Sequence, residues 1–96
     1  MNENKFQHSL IKKIQNKLPD AMILKNDSGY IQGIPDLIVL NGSKWAALEC
    51  KRSRNAKHRP NQDFYVDKMN DMSYAAFVYP ENEEEVLDDL QRSLQS

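Results

Sequence analysis

The chain has 96 residues, 40% hydrophobic and 28% charged, which supports one small domain without room for a second core and excludes global disorder. Its formal net charge of −1 excludes a uniformly basic nucleic-acid binder, and the lone cysteine, Cys50, excludes an internal disulfide or a zinc cage built from cysteines. No stretch approaches membrane-spanning length and Met1 to Gln7 is polar, so no membrane partner and a cytoplasmic location are expected.

In chain order, the first predicted element is a helix from about Glu3 to Lys17. Phe6, Leu10, Ile14 and Leu18 recur every fourth residue and Ile11 widens the stripe. Asn2 suits the N-cap, and Pro19 stops the helix. Ala21 to Lys25 reads as a short strand, followed by the turn signal Asn26-Asp27-Ser28-Gly29. Gly33-Ile34-Pro35 delivers an extended chain into the strand Asp36 to Leu40. Asn41-Gly42 is a hairpin signal, and Lys44 to Lys51 returns as its partner strand.

Pro60 suits the first turn of a helix reaching about Met72, with Phe64, Tyr65, Met69 and Met72 available for its buried side. Tyr74 to Tyr79 is a further strand closed by Pro80. Asn82 followed by Glu83, Glu84 and Glu85 reads as a capped, acid-loaded helix start, and Val86, Leu87, Leu90 and Leu94 form that helix's apolar stripe. The order α-β-β-β-α-β-α fits an α/β fold, a mixed sheet flanked by helices.

Charge is segregated along the chain. Lys51 to Arg59 holds five Lys or Arg and no acid, whereas Glu81 to Asp89 holds six acids and no base. Such a split permits a DNA partner on one face, and two merely solvated segments explain it equally well.

The chemistry-bearing constellation is Asp36 with Glu49-Cys50-Lys51. Alternation along a strand sets Glu49 and Lys51 on one face and Leu48 and Cys50 on the other. Folding back through Asn41-Gly42 brings Asp36 toward the far end of the partner strand. Two carboxylates and an ammonium there suit a hard divalent cation, with the Cys50 carbonyl as a further oxygen ligand, and hence phosphodiester hydrolysis. An exposed cross-strand ion pair is the other reading of the same residues.

The segments GIPDLIVL, ALECK and RPNQ resemble the PD-(D/E)XK nuclease superfamily, and within it the small, stand-alone, phage-type members of the VRR-NUC family. The resemblance spans nearly the whole chain as one domain, residues 1–96. It implies a restriction-endonuclease-like α-β-β-β-α-β core and a magnesium- or manganese-dependent endonuclease. On this resemblance Asp36 and Glu49 are metal ligands, Lys51 is the catalytic lysine, and Gln62 steadies the site. Glu3 matches an acidic residue of the first helix that completes the metal shell directly or through water; a first-turn acid complementing the helix dipole is the alternative. Arg52, Arg54, Lys57, His58 and Arg59 suit phosphates flanking the scissile bond, a solvated loop being the bland alternative, with Lys25 as a further candidate on the same edge.

The resemblance implies branched DNA such as Holliday junctions as partner, and a two-fold homodimer to match junction symmetry. A flap-, nick- or end-directed nuclease, or a non-catalytic DNA-binding module, are the alternatives. A phage protein in a bacterial cytoplasm is the expected setting. His8 and His58 are too isolated to suggest a general base or metal site, and Cys50 reads as a buried thiol rather than a nucleophile. Tyr65, Tyr74, Phe77 and Tyr79 sit at core-like spacings, and Trp45 suits core or interface.

Overall fold

The computed structural model describes residues 1–95. It contains α1 (Glu3–Lys17), β1 (Met22–Lys25), β2 (Leu37–Asn41), β3 (Lys44–Cys50), α2 (Gln62–Met72), β4 (Tyr74–Val78) and α3 (Glu83–Leu94), with a 3-10 turn at Pro80–Asn82. The four strands form one mixed sheet in the order β1-β2-β3-β4. The first three run antiparallel as a meander, and β4 joins β3 in parallel after the α2 crossover.

Two layers of helix enclose the sheet. On one face Phe6, Leu10 and Ile14 of α1 meet Val86, Leu87, Leu90 and Leu94 of α3 over Leu37, Val39, Ala46, Leu48, Cys50 and Val78. On the other face α2 lies over β3 and β4, where Val66 packs on Ala47 and Ala75 with Ile38, Trp45, Met69 and Phe77 around them. The expected α/β architecture is therefore present, and no helix among the described residues is long and apolar enough to cross a membrane.

Local chemistry accounts for the element ends. The Asn2 side chain accepts from the Lys5 N–H at 2.8 Å and starts α1. The β2–β3 turn consists of Gly42 and Ser43, with Asn41 and Lys44 already paired across the ladder. Gly42 takes φ +65°, the left-handed conformation this short turn demands. The Asn41 side chain instead donates to the Leu94 carbonyl at 2.7 Å, closing the last turn of α3.

Three sequence expectations need correction. Phe64 and Met72 are exposed rather than buried, because α2 turns Gln62 and Val66 inward and keeps Tyr65 and Met69 at its flank. Neither does Asn82 cap α3 with its side chain. Its Oδ1 accepts from the Tyr79 N–H and its Nδ2 donates to the Phe77 carbonyl, so it ties off β4. Beginning α2 at Gln62 rather than Pro60 follows from Asn61, whose φ of 71° no α-helical residue adopts.

Candidate active site

A cleft of about 1220 Å³ opens at the ends of β2 and β3, with the first residues of α1 on one wall and the β3–α2 loop on the other. Register sets its floor. Leu37 pairs with Leu48, so Asp36, one residue before β2, reaches the Glu49–Cys50 peptide. There the Cys50 N–H donates to Asp36 Oδ2 at 2.9 Å. The Lys51 N–H donates to the Val78 carbonyl at 2.8 Å, carrying the β3–β4 ladder one residue further and fixing the direction of the lysine.

The residues around Asp36 hold it from behind. Asn26 donates from its backbone to the Asp36 carbonyl and from its side chain to the Pro35 carbonyl, both at 2.8 Å. Gly33, at φ +90°, lies so close to the turn before α2 that a Cβ there would stand 2.7 Å from Asn61 Cβ and 2.8 Å from the Pro60 carbonyl oxygen. The GIPD and PNQ segments thus touch. Sequence reading missed Asn26, which stood inside an ordinary turn signal and had no periodicity to mark it.

Three polar side chains are buried in the core of this cleft: Glu49 at 2% exposure, Lys51 at 4% and Gln62 at 7%. Gln62 is held at both ends, its Oε1 accepting from the Arg59 N–H at 2.8 Å and its Nε2 donating to Glu49 Oε2 at 3.0 Å. Lys51 Nζ donates to the Lys57 carbonyl at 3.2 Å, leaving two of its three N–H donors for other partners. Glu49 Oε1 is buried without a hydrogen-bond partner among the described residues. An orphaned carboxylate oxygen is costly inside a protein.

Electrostatics reflect this crowding. Burial and the neighbouring Asp36 charge push the Glu49 carboxyl up to about 8, against the pull of Lys51. Burial also raises Asp36, opposed by the Cys50 N–H, Glu49, Lys51 and Arg59. Two adjacent carboxyls in one pocket share the difficulty of ionising together. Burial lifts the Cys50 thiol far above its ordinary range as well, so it is an inert core group; only its backbone lies at the site.

The other sequence-selected residues divide. Glu3, Arg52, Lys57 and Arg59 line the cleft, while Arg54 and Lys25 do not. The Arg54 N–H donates to Glu81 at 3.2 Å and its guanidinium lies over the Tyr79 ring, turning the side chain to the opposite side of the loop. Lys25 ends the edge strand β1. His58, which looked isolated in sequence, lines the cleft, stacks on Phe77 at 4.0 Å and meets Asp63 at 2.7 Å. None of the acids between Glu81 and Asp89 lines the cleft.

No three His, Cys, Asp or Glu side chains among the described residues gather tightly enough to hold a metal by themselves. Glu3 shares the cleft without closing such a cluster. A hard cation that keeps most of its water needs only one or two carboxylates, and the Asp36–Glu49 pair with its orphaned oxygen meets that requirement.

The architecture matches a solved VRR_NUC domain protein with a TM-score of 0.72 over 99% of this chain and 89% of that one, at 18% identity. The chain has the VRR-NUC fold. The Archaeoglobus fulgidus Holliday junction resolvase Hjc is more distantly similar, with a TM-score of 0.52 over 79% of this chain and 67% of that one, at 12% identity. No protein-family model matches the sequence, and no curated protein matches it. The chain thus shares that fold at low sequence identity, and the restriction-endonuclease-like core expected from sequence is present.

Proposed function

We propose that this chain is a divalent-metal-dependent nuclease that hydrolyses DNA phosphodiesters, with branched DNA such as a Holliday junction as its substrate. The observation that carries this reading is Glu49. It is a buried carboxyl group in the lining of the cleft, with one oxygen clamped by Gln62 and the other unpartnered, beside a second carboxyl and a buried lysine. Such an arrangement is costly for a protein at rest and useful for one that binds a cation.

Asp36, Glu49 and the Cys50 carbonyl would hold magnesium or manganese, and Glu3, which lines the same cleft, would take part through water. When bound, that cation lowers the pKa of a water and neutralises charge growing on the phosphate oxygens. The Cys50 N–H keeps Asp36 turned toward the cleft, and Gln62 does the same for Glu49. Lys51, in the same cleft, would set a positive charge against the charge growing on the phosphate in the transition state. Arg52, Lys57 and Arg59 grip phosphates on either side of the scissile bond.

Branched DNA is favoured by the likeness to the Hjc resolvase, and resolving a four-way junction takes two symmetric incisions. A phage-encoded protein working in a bacterial cytoplasm suits the small VRR-NUC-like chain. The test incubates labelled four-way junction, flap and plain duplex with the protein in magnesium, manganese or chelator, beside Glu49→Gln. Metal-dependent cleavage of the junction above the other substrates, lost in the variant, is expected. Cleavage that persists in Glu49→Gln would overturn the site, and equal cutting of all three substrates would overturn the junction preference.

A further inference from the structure

The loop between β3 and α2 carries one more side chain that the proposed reaction leaves without a task. His58 lines the cleft together with Asp36, Glu49 and Lys51. Its ring stacks on Phe77 with 4.0 Å between centroids and a tilt of 18°, and its Nδ1 meets Asp63 Oδ1 at 2.7 Å. Parallel register pairs Phe77 with Glu49. Phe77 belongs with Ala47 and Ala75 to the cluster beneath α2, so alternation sets Phe77 and Glu49 side by side on that face. His58 is thus held one strand away from Glu49, over β4 rather than β3.

Its neighbours in the chain fix that position. The Lys57 carbonyl accepts from Lys51 Nζ at 3.2 Å, and the Arg59 N–H donates to Gln62 Oε1 at 2.8 Å, so the residues on both sides of His58 are tied to the site itself. Asn61, at φ 71°, then turns the chain into α2, whose first turn carries Asp63. An ionised carboxylate only accepts hydrogen bonds, which puts the proton of this contact on Nδ1. Nε2 is left as the nitrogen that takes up and releases a proton, and it makes no hydrogen bond among the described residues. A carboxylate on one imidazole nitrogen fixes the ring and steadies the imidazolium form. The other charged groups around this ring are Lys57 and Arg59 of its own loop and Glu49 and Lys51 of β3; β4 contributes the uncharged Phe77.

We infer that His58 is the general acid of the cleavage, giving its Nε2 proton to the oxygen that leaves phosphorus, with Asp63 as the residue that positions it. This rests on the proposed function. In the step, the oxygen of a water bonds to phosphorus and the bond from phosphorus to the departing ester oxygen breaks. The departing oxygen keeps the electron pair of that bond and takes the proton from Nε2. The attacking water gives one proton to solvent and the imidazole recovers one from solvent, so His58 is not consumed. An alkoxide leaves poorly unless it is protonated as it departs. The arginines of the cleft stay protonated and so grip phosphate without supplying that proton, and Lys51 is placed against the phosphate charge.

The test compares DNA with its natural bridging oxygen at the cut position and DNA in which sulfur replaces the oxygen that departs, since a thiolate leaves without a proton. The chemistry of the product ends identifies which oxygen that is. Cleavage in manganese is measured for wild type, His58→Gln and Asp63→Asn, with circular dichroism for folding and fluorescence anisotropy in chelator for DNA affinity. His58→Gln is expected to lose about a hundredfold on the oxygen strand and less than about fivefold on the sulfur strand. Asp63→Asn is expected to lose about tenfold on oxygen with the same indifference on sulfur. DNA affinity should stay within about threefold of wild type in both. The Asp63 side chain is 72% exposed, so its variant decides the matter if His58→Gln fails to fold. Equal losses on both strands make His58 a phosphate ligand or a prop for the loop and overturn the inference, as does full activity on the oxygen strand. A wild type that cuts the oxygen strand and spares the sulfur strand overturns it too, because departure is then not limited by a proton. A wild type that cuts neither strand sinks the nuclease reading itself.

Discussion

The two faces of β3 differ as much as any two regions of this molecule. On one, Ala46, Leu48 and Cys50 are fully buried among aliphatic side chains from α1, α3 and β2. On the other, Ala47 packs under α2, and then Glu49 and Lys51 carry ionisable groups into a site almost as dry. Adjacent residues of one strand thus serve opposite ends. The apolar face gains free energy from every methylene removed from water, while the charged face gives some back and keeps an unsatisfied oxygen. Stability and reactivity are separated here by a peptide's width.

The sharpest way to break that contrast is to delete a charge. If the proposed mechanism holds, Lys51→Ala should cut DNA cleavage by about a thousandfold or more while leaving the fold, since that mechanism assigns its ammonium to the transition state. Activity within tenfold of wild type, with unchanged circular dichroism, would remove Lys51 from the chemistry. The matching change on the other face is Leu48→Ala. It should cost about 2–5 kcal/mol in chemical denaturation, with cleavage per folded molecule preserved at low temperature.

Gln62→Ala should have an intermediate effect, about 10- to 100-fold in apparent metal affinity read from the magnesium dependence of cleavage, with maximal rate less affected. The smallest effect concerns pH in chelator. Glu49 has its carboxyl raised to about 8 from an ordinary 4.5, so the folded chain holds that proton more tightly than the unfolded one. The associated stability is fully present below about pH 4.5 and is lost as pH rises toward 8. Melting midpoints should therefore fall between pH 5 and 8.5 more steeply for wild type than for Glu49→Gln. Magnesium should restore the wild type at pH 8.5 and do little for the variant.

Much of this was legible in the sequence. The period-four stripe of α1, the Asn41-Gly42 hairpin and the strict alternation of Ala46 to Lys51 each express a local rule, and each fixes its element without reference to the rest of the chain. Alternation alone set Glu49 and Lys51 on one face. What escaped depends on contacts between distant segments. Phe64 and Met72 satisfy a helical stripe as well as Val66 does, and only the sheet beneath α2 decides which side is buried. Asn26, Asn41 and Asn82 all read as turn or cap residues, yet each spends its side chain on a partner 5 to 53 positions away. Arg54 is indistinguishable in sequence from Arg52 and Arg59 until Glu81 and Tyr79 draw it aside.

The double hold on Gln62 has a mechanical consequence. One end of its amide is anchored on the backbone of the basic loop and the other on a carboxylate, and both anchors fix which way the amide faces. On the proposed function, a nucleic-acid strand that tugged the loop would move the carboxylate with it, coupling grip at the flank to alignment at the scissile bond.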